Sequence, residues 1–291
     1  MRTSLTISVK DMCRILTGWL KTGDFESLRI ILDSFIKGSE HDGYLEKASG
    51  GRYSSHDDGW GIAAVGLAGG KPSVVYHKML NPIFDADSIK MINLIEARLK
   101  RYDEVAFIVH SRKSSRFEPY GGDYLHPFIR LFENGAGWFA HNGGVDKVRI
   151  AGMLGVHPWT RVDSELLAYY LMNSVEECLL EEKDVDRCVI KSYESSLDYV
   201  PPCSGLNTGL LLLLGDKPYL YTTHFIGRPC ENQSLIDYFR MLLLQVGESW
   251  VAASITLADY LPQHAMIAKT IIVDPGLYKL SSEGWTRLVK Y

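Results

Sequence analysis

Apolar residues recur at helical spacing in three segments of the chain. In residues 24–39 they fall on one face of a predicted helix that begins near Asp24. The apolar positions of that face are Leu28, Ile31, Leu32, Phe35 and Ile36. Residues 85–102 and 160–175 have the same spacing and predict two further amphipathic helices. In the last of these, Thr160 and Asp163 are placed three residues apart, which is typical of a capping box.

Shorter apolar runs bounded by turn residues predict strands. Residues 58–78 contain two such runs joined by the glycine-rich stretch GLAGGKPS, which favours a hairpin. This stretch lacks the first glycine of a phosphate-binding loop, and Pro72 stands where that loop has a hydroxyl residue. Further strands are predicted at residues 104–110, 137–145, 209–215, 218–225, 250–255 and 269–274, and a helix is predicted over residues 234–246.

These elements predict the fold class. Strand pairs tied by turns, with helices between the groups, are typical of an antiparallel α+β layered domain. The sequence contains no internal repeat, low-complexity tract or linker. We therefore expect a single domain over residues 13–291. Residues 1–12 are either a short extension or propeptide, or the true translation start is Met12.

Composition narrows the functional classes. The 291 residues carry a net charge of −4, which argues against a nucleic-acid-binding protein with its basic face. Apolar runs stay below the roughly 18 residues that a membrane span needs. The five cysteines show neither C-x-x-C spacing nor a metal-site pattern. An odd cysteine count without a secretory signal favours a reducing, cytoplasmic location.

Three segments at predicted element ends collect chemically useful groups. HSRK ends a strand with Arg112, whose guanidinium can bind a carboxylate through two hydrogen bonds. HNGG contributes Asn142 and Gly143, a side-chain amide beside a glycine N–H, which suits an oxyanion. DSE opens a helix with Asp163, which can hold an ammonium group. Together they could bind both ends of an amino acid.

Each group also has a purely structural interpretation. Arg112 alone is most simply a surface ion-pair residue, and HNGG alone is most simply a turn. Asp163 alone is a first-turn helix carboxylate favoured by the helix dipole. Cys13 alone is a small core residue, and His110 and His141 are structural histidines at strand ends. No single segment decides between the two interpretations.

The order of the segments is more informative. Met-Cys at residues 12–13, then DGWGIA, HSRK, HPF, FAHNGG and DSE, resembles the glutaminase domain of class II glutamine amidotransferases, in particular its stand-alone branch. The resemblance is strong from Cys13 to about Val175 and weaker thereafter. It implies the N-terminal nucleophile hydrolase fold, a four-layer αββα sandwich of two mainly antiparallel sheets flanked by helices.

The resemblance implies a role for each matching residue. Cys13 would be the nucleophile once it is the first residue, because its α-amine, with a pKa near 7.7–8.0, can then act as the base. Asn142 and Gly143 would form the oxyanion hole. Arg112 would bind the substrate α-carboxylate and Asp163 its α-ammonium, with Ser115 as a further contact. The products would be glutamate and ammonia, and neither a cofactor nor a metal is implied.

Three departures from the family pattern bear on this hypothesis. Residues 1–12 precede the cysteine, so they must be removed or be absent from the translated protein. Tyr124 stands where relatives tend to have an asparagine before HPF. HSRKSSRFEP replaces a more aromatic or Ala-Thr-rich version, which weakens glutamine as the expected substrate.

Alternatives therefore stay open. One is a hydrolase of a γ-glutamyl amide in a small metabolite. Another is a catalytically silent scaffold that senses an amino acid or binds a partner. An unrelated Cys–His hydrolase fits poorly, because no Cys–His motif stands out. Since no synthase domain follows residue 175, any ammonia acceptor is expected on a separate subunit, and no nucleic acid or membrane is expected as a partner. A homo-oligomer is compatible with the sequence.

Overall fold

Two antiparallel sheets form the centre of the protein. The computed structural model describes residues 12–114, 118–263, 265 and 267–291. The first sheet has seven strands in the order β11-β9-β10-β1-β4-β2-β3, and the second has six in the order β13-β12-β8-β7-β6-β5. Strands from both ends of the chain meet in the first sheet, where β1 pairs with β4 and β10.

The strands have the following bounds. Those of the first sheet are β1 (Arg14–Lys21), β2 (Trp60–Ala68), β3 (Lys71–Met79), β4 (Glu104–Ser111), β9 (Met241–Val246), β10 (Ser249–Ser254) and β11 (Ile267–Ile272). Those of the second sheet are β5 (Phe128–Phe132), β6 (Gly135–Gly143), β7 (Leu206–Leu214), β8 (Lys217–His224), β12 (Gly276–Ser281) and β13 (Gly284–Lys290).

Helices cover the outer faces of both sheets. They are α1 (Phe25–Glu40), α3 (Ala86–Leu99), α4 (Lys147–Leu154), α5 (Asp163–Glu181) and α6 (Val185–Ser196), whereas α2 (Gly43–Ala48) and α7 (Gln233–Tyr238) share a separate apolar cluster with Met12. One apolar cluster joins α1 and α3 to the first sheet, and a second joins α4, α5 and α6 to the second sheet. A third cluster, with Ile15, Ile108 and Leu211, fills the space between the sheets. The layers are therefore αββα, as predicted.

The long periodic elements agree with the sequence predictions. Helix α1 buries the five apolar positions that its pattern indicated. The hairpin of β2 and β3 is present, with its turn at Gly69 and Gly70. In the part of the chain that the structure describes, no helix is long and apolar enough to cross a membrane.

Two local predictions are wrong. The helix expected over residues 234–246 is α7 followed by β9, because the run MLLLQV pairs with both β10 and β11 in the sheet. A short apolar run does not by itself distinguish a buried helix from a buried strand. The capping box is also absent, because Thr160 lies in a separate 3-10 turn and Val162 is the N-cap of α5.

Four of the five cysteines form disulfides. Cys178–Cys188 connects α5 to α6, and Cys203–Cys230 connects the segments before β7 and α7. Only Cys13 carries a thiol among the described cysteines. Since disulfides are uncommon in a reducing compartment, they do not support the argument from cysteine count, and a cytoplasmic location stays a prediction.

Candidate active site

Cys13 directly precedes β1, the central strand of the first sheet. The register of β1 against β4 pairs Arg14 with Ser111, so Cys13 is beside Arg112 at this edge. The Cys13 side chain is buried, at 1% exposure, and its Sγ is 3.8 Å from the carbonyl oxygen of Lys113. The nucleophile candidate and the HSRK segment are therefore neighbours, although a hundred residues separate them.

Asn142 reaches Cys13 from the other sheet. The backbone nitrogen of Cys13 donates a hydrogen bond to Oδ1 of Asn142 at 3.0 Å. Asn142 is fully buried, and its Nδ2 has no hydrogen-bond partner among the described residues. A buried amide donor without an acceptor costs free energy. Such a donor beside a cysteine suits a ligand oxygen at this position.

The Asn-Gly bend that follows is rigidly packed. Gly143 has a φ of +144°, which residues with a side chain rarely adopt. A Cβ at this position would lie 1.8 Å from the carbonyl oxygen of Gly205. The next residue, Gly144, donates its N–H to Ser204 Oγ at 2.8 Å. The bend therefore requires glycine for its conformation and for space.

Arg112 is a buried cation at the same edge. Its Nη2 donates to Ser114 Oγ and to the carbonyl oxygen of Pro119, both at 3.1 Å. Its Nη1 is buried without a hydrogen-bond partner in the described part of the chain. A buried guanidinium is stabilised by an anion. The surface ion-pair interpretation of Arg112 is wrong, because the residue is only 1% exposed.

The DGWG segment holds the backbone of this arginine. Arg112 donates its N–H to the carbonyl oxygen of Gly59 and accepts from the N–H of Asp58, at 2.9 and 3.0 Å. Asp58 also accepts from the Ser114 N–H at 2.8 Å. Lys113 forms an ion pair with Asp57 at 2.5 Å. The DGWG and HSRK motifs therefore form one unit.

Asp163 connects the helix layer to the Asn-Gly bend. It is the first residue of α5 and is buried at 2% exposure. Its Oδ2 accepts the N–H of Val145 at 3.0 Å, and its Oδ1 accepts the N–H of Ser164 at 2.6 Å. The carboxylate thus lies where the chain leaves HNGG. Ser115, predicted as a further substrate contact, lies outside the described residues.

The histidines near the site are buried and held by the fold. His110 Nε2 lies 3.2 Å from the carbonyl oxygen of His141, whose own ring contacts Ser164 Oγ and the carbonyl oxygen of Gly205. The ring of His126 packs 3.9 Å from that of His110. Desolvation by burial holds the pKa of His110 and of His126 well below the ordinary value, so both rings are neutral. These contacts fit the structural interpretation.

Four further residues lie near the Cys13 backbone and were not identified as site residues from the sequence. Tyr238 donates its hydroxyl to the Cys13 carbonyl oxygen at 2.9 Å. Behind it lie Arg14, Asp42 and His56, which form a buried charged cluster. The only signal in the sequence was the charged residue after Cys13 and the histidine two residues before DGWG. Among the described residues, no group of three or more His, Cys, Asp or Glu side chains could hold a metal ion.

The αββα layers and the two antiparallel sheets are consistent with the N-terminal nucleophile hydrolase type of sandwich. The family described as glutamine amidotransferases, class-II, matches residues 43–197, just over half of the chain, and the protein belongs to this family. The matched segment contains Arg112, Asn142, Gly143 and Asp163. Cys13 precedes it.

Two known proteins resemble this chain in sequence or in fold. An uncharacterized protein of Methanocaldococcus jannaschii is 31% identical over 134 residues, which are 45% of this chain and 34% of that protein. The chain therefore spans about a third of the length of this relative. The solved structure of a predicted glutamine amidotransferase from Pseudomonas aeruginosa PA01 covers 97% of both chains at 14% identity, with a TM-score of 0.42.

Proposed function

We propose that the protein is a glutamine amidohydrolase, acting as the ammonia-producing subunit of an amidotransferase. In this proposal residues 13–291 form one glutamine amidotransferase type-2 domain, and Cys13 is its first residue in the active enzyme. Membership of the class II family supports amide hydrolysis or transfer in general. The nucleophile, the substrate and the roles below are the finer parts of the proposal.

One observation carries it. The Cys13 nitrogen is hydrogen-bonded to the side chain of Asn142, and the edge they share contains two buried donors without a described acceptor, Asn142 Nδ2 and Arg112 Nη1. One donor suits the oxyanion of a tetrahedral intermediate. The other suits a carboxylate. Their position beside the Cys13 thiol supports a site that binds a ligand with negatively charged or polar oxygens.

The reaction follows from these positions. The thiol of Cys13 transfers its proton to its own α-amine, and Sγ attacks the amide carbon of glutamine. Asn142 Nδ2 and the Gly143 N–H stabilise the oxyanion. The C–N bond breaks as the α-ammonium gives its proton to the leaving amide nitrogen, which departs as ammonia, and water then hydrolyses the γ-glutamyl thioester to glutamate and the free Cys13 thiol. Arg112 binds the α-carboxylate and Asp163 the α-ammonium of the substrate.

Substrate turnover tests the proposal, once an intact-mass measurement has established at which residue the purified chain begins. A chain that begins at Cys13 should release glutamate and ammonia from glutamine, and Cys13→Ala should abolish the release. Arg112→Lys should lower kcat/KM about 10–100-fold, mainly through KM, because a lysine cannot bind a carboxylate with two hydrogen bonds. Arg130→Lys, at an arginine paired with Glu176 away from the site, is the matched control.

Other outcomes would overturn the proposal. Activity confined to N-substituted γ-glutamyl amides would replace glutamine by a small metabolite as the substrate. A fully active chain that retains Met1 would exclude the Cys13 amine as the base. No turnover of either substrate class by the chain that begins at Cys13 would favour the silent scaffold.

A further inference from the structure

A buried charged cluster lies directly behind the Cys13 backbone. Asp42 Oδ2 is 2.5 Å from Arg14 Nε and 2.7 Å from His56 Nε2, and each of the three side chains is at most 2% exposed. Burying such a group costs desolvation free energy, which a well-packed apolar substitute would avoid. The capping of α2 explains Asp42 Oδ1, which accepts the N–H groups of Tyr44 and Leu45. It does not explain Oδ2.

The other ring nitrogen of His56 points to the residue before the nucleophile. His56 Nδ1 lies 2.9 Å from the carbonyl oxygen of Met12, which belongs to the peptide bond that joins Met12 to Cys13. The backbone of His56 is also fixed, through its N–H to Ser39 and its carbonyl oxygen to Ser111 Oγ. The imidazole is thus held between a carboxylate and the start of Cys13.

This arrangement has a proton conflict while Met12 is present. Both ring nitrogens of His56 face oxygen acceptors, so both hydrogen bonds form only if the ring is an imidazolium. Burial, however, lowers the pKa of His56 despite the neighbouring Asp42. Arg14 already compensates the charge of Asp42, and Arg14 and His56 together outweigh burial and hold the pKa of Asp42 below its usual range.

Removal of Met12 resolves the conflict. A neutral His56 can carry its proton on Nε2 and donate a hydrogen bond from there to Asp42. Its Nδ1 is then a hydrogen-bond acceptor. The group that replaces the Met12 peptide bond is the α-amine of Cys13, which supplies donors. A water at the position of the Met12 carbonyl oxygen would lie 2.9 Å from Nδ1, within hydrogen-bond distance.

We infer that His56, oriented by Asp42, is a positioning residue for the α-amino group of Cys13, from which Nδ1 accepts a hydrogen bond directly or through one water. This inference rests on the proposed function, since it requires Cys13 to be the first residue. Asn142 Oδ1, 3.0 Å from the same nitrogen, is the second acceptor. Two acceptors stabilise the ammonium form and leave its third N–H for the thiolate or the leaving amine.

Alkylation of Cys13 tests the inference without any substrate. The test uses the chain that begins at Cys13, as purified or released by a protease site placed before it, and follows iodoacetamide modification of Cys13 by mass spectrometry across pH. His56→Leu should slow alkylation about tenfold at pH 7 and raise the midpoint of the profile by about one pH unit, because the ammonium that supports the thiolate is weakened. His56→Asn, which keeps an acceptor near Nδ1, should restore most of the rate.

Controls separate this role from others. His157→Leu changes an exposed histidine that contacts Trp159 and Thr160, and it should leave the profile unchanged. The charged or titratable groups that interact with His56 are Arg14, Asp42 and His110, and they are the same in every variant. If circular dichroism shows that His56→Leu does not fold, His56→Asn and His56→Gln are compared instead. Only the asparagine places an acceptor near the position of Nδ1, so equal alkylation profiles of these two variants would refute the inference.

The outcome is independent of the proposed reaction. If folded His56→Leu has the same pH profile of Cys13 alkylation as the parent protein, the inference is refuted, even if the protein hydrolyses glutamine. A shifted profile supports it even where neither glutamine nor any γ-glutamyl amide is turned over, in which case only the proposed function fails.

Discussion

The backbone nitrogen of Cys13 and the side-chain oxygen of Asn142 are 3.0 Å apart, which joins the ends of two sheets at one point. Cys13 precedes the central strand of the first sheet, and Asn142 lies near the end of β6 in the second. The same Asn142 side chain carries a buried donor aimed away from that bond. One residue therefore both fixes the position of the nucleophile and offers a hydrogen bond to an oxyanion.

Asn142→Asp separates these two functions. The aspartate keeps an oxygen for the Cys13 nitrogen but replaces the Nδ2 donor by a second acceptor. Turnover of glutamine should fall about 10²–10³-fold, as expected for an oxyanion-hole donor. Asn142→Ala loses both contacts, so its turnover of glutamine should fall at least as far. Steady-state kinetics gives the result, with circular dichroism to verify folding. Wild-type turnover by Asn142→Asp would remove the oxyanion role.

Gly143→Ala should destabilise the protein. The alanine would have to adopt a φ of +144°, and its Cβ would meet the Gly205 carbonyl oxygen at 1.8 Å. We expect a loss of about 2–4 kcal/mol in the free energy of unfolding, measured by urea denaturation.

Gly152→Ala is the matched control for that variant. Gly152 lies within helix α4, and a Cβ there meets no atom within 4 Å. This change should stabilise the protein by about 0.5–1 kcal/mol, because alanine loses less backbone entropy on folding. Equal stability of the two variants would contradict the packing described for the Asn-Gly bend.

The disulfides predict a labelling pattern. Iodoacetamide should label one cysteine, Cys13, in the protein denatured without a reductant, and five after reduction. Labelling of all five without reductant would show that the pairs do not form and would favour the reducing location.

Removal of each pair tests its contribution to stability. Cys203→Ser with Cys230→Ser opens a connection across 27 residues and should lower the free energy of unfolding by about 3–4 kcal/mol. Cys178→Ser with Cys188→Ser spans 10 residues and should cost less, about 2–3 kcal/mol. Urea denaturation of the non-reduced proteins measures both. The reverse order would contradict a loop-entropy origin.

Lys78 predicts a pH dependence of stability. Burial against the rings of Tyr76 and Phe128 lowers the pKa of Lys78 to about 8, whereas an unfolded lysine titrates near 10.4. Between these pH values the unfolded chain binds more protons, so the free energy of unfolding rises with pH through this interval. Below pH 8 both states are protonated and the dependence vanishes.

Lys78→Met isolates this dependence from other groups that titrate in the same range. The stability of the wild type relative to Lys78→Met, from urea denaturation at pH 7.5, 9 and 10.5, should increase with pH. A constant difference would mean that the Lys78 pKa is not lowered in the folded state.

Much of the fold was determined by local sequence. Helix α1 and the β2–β3 hairpin follow from apolar periodicity and turn residues, which act over a few positions. The candidate residues Arg112, Asn142, Gly143 and Asp163 were also identifiable, because their types and chain order match a family pattern. Their roles stay predictions until turnover is measured.

Other features were decided only by tertiary structure. MLLLQV is the strand β9 because β10 and β11 pair with it, and its six residues carry no signal that excludes a helix. Arg112 is buried because DGWG folds over its backbone, which its own neighbours in sequence do not indicate. The links from His56 to Met12 and from Asn142 to Cys13 span 44 and 129 residues. Such contacts depend on which strands become neighbours, and this is set by the packing of the whole chain.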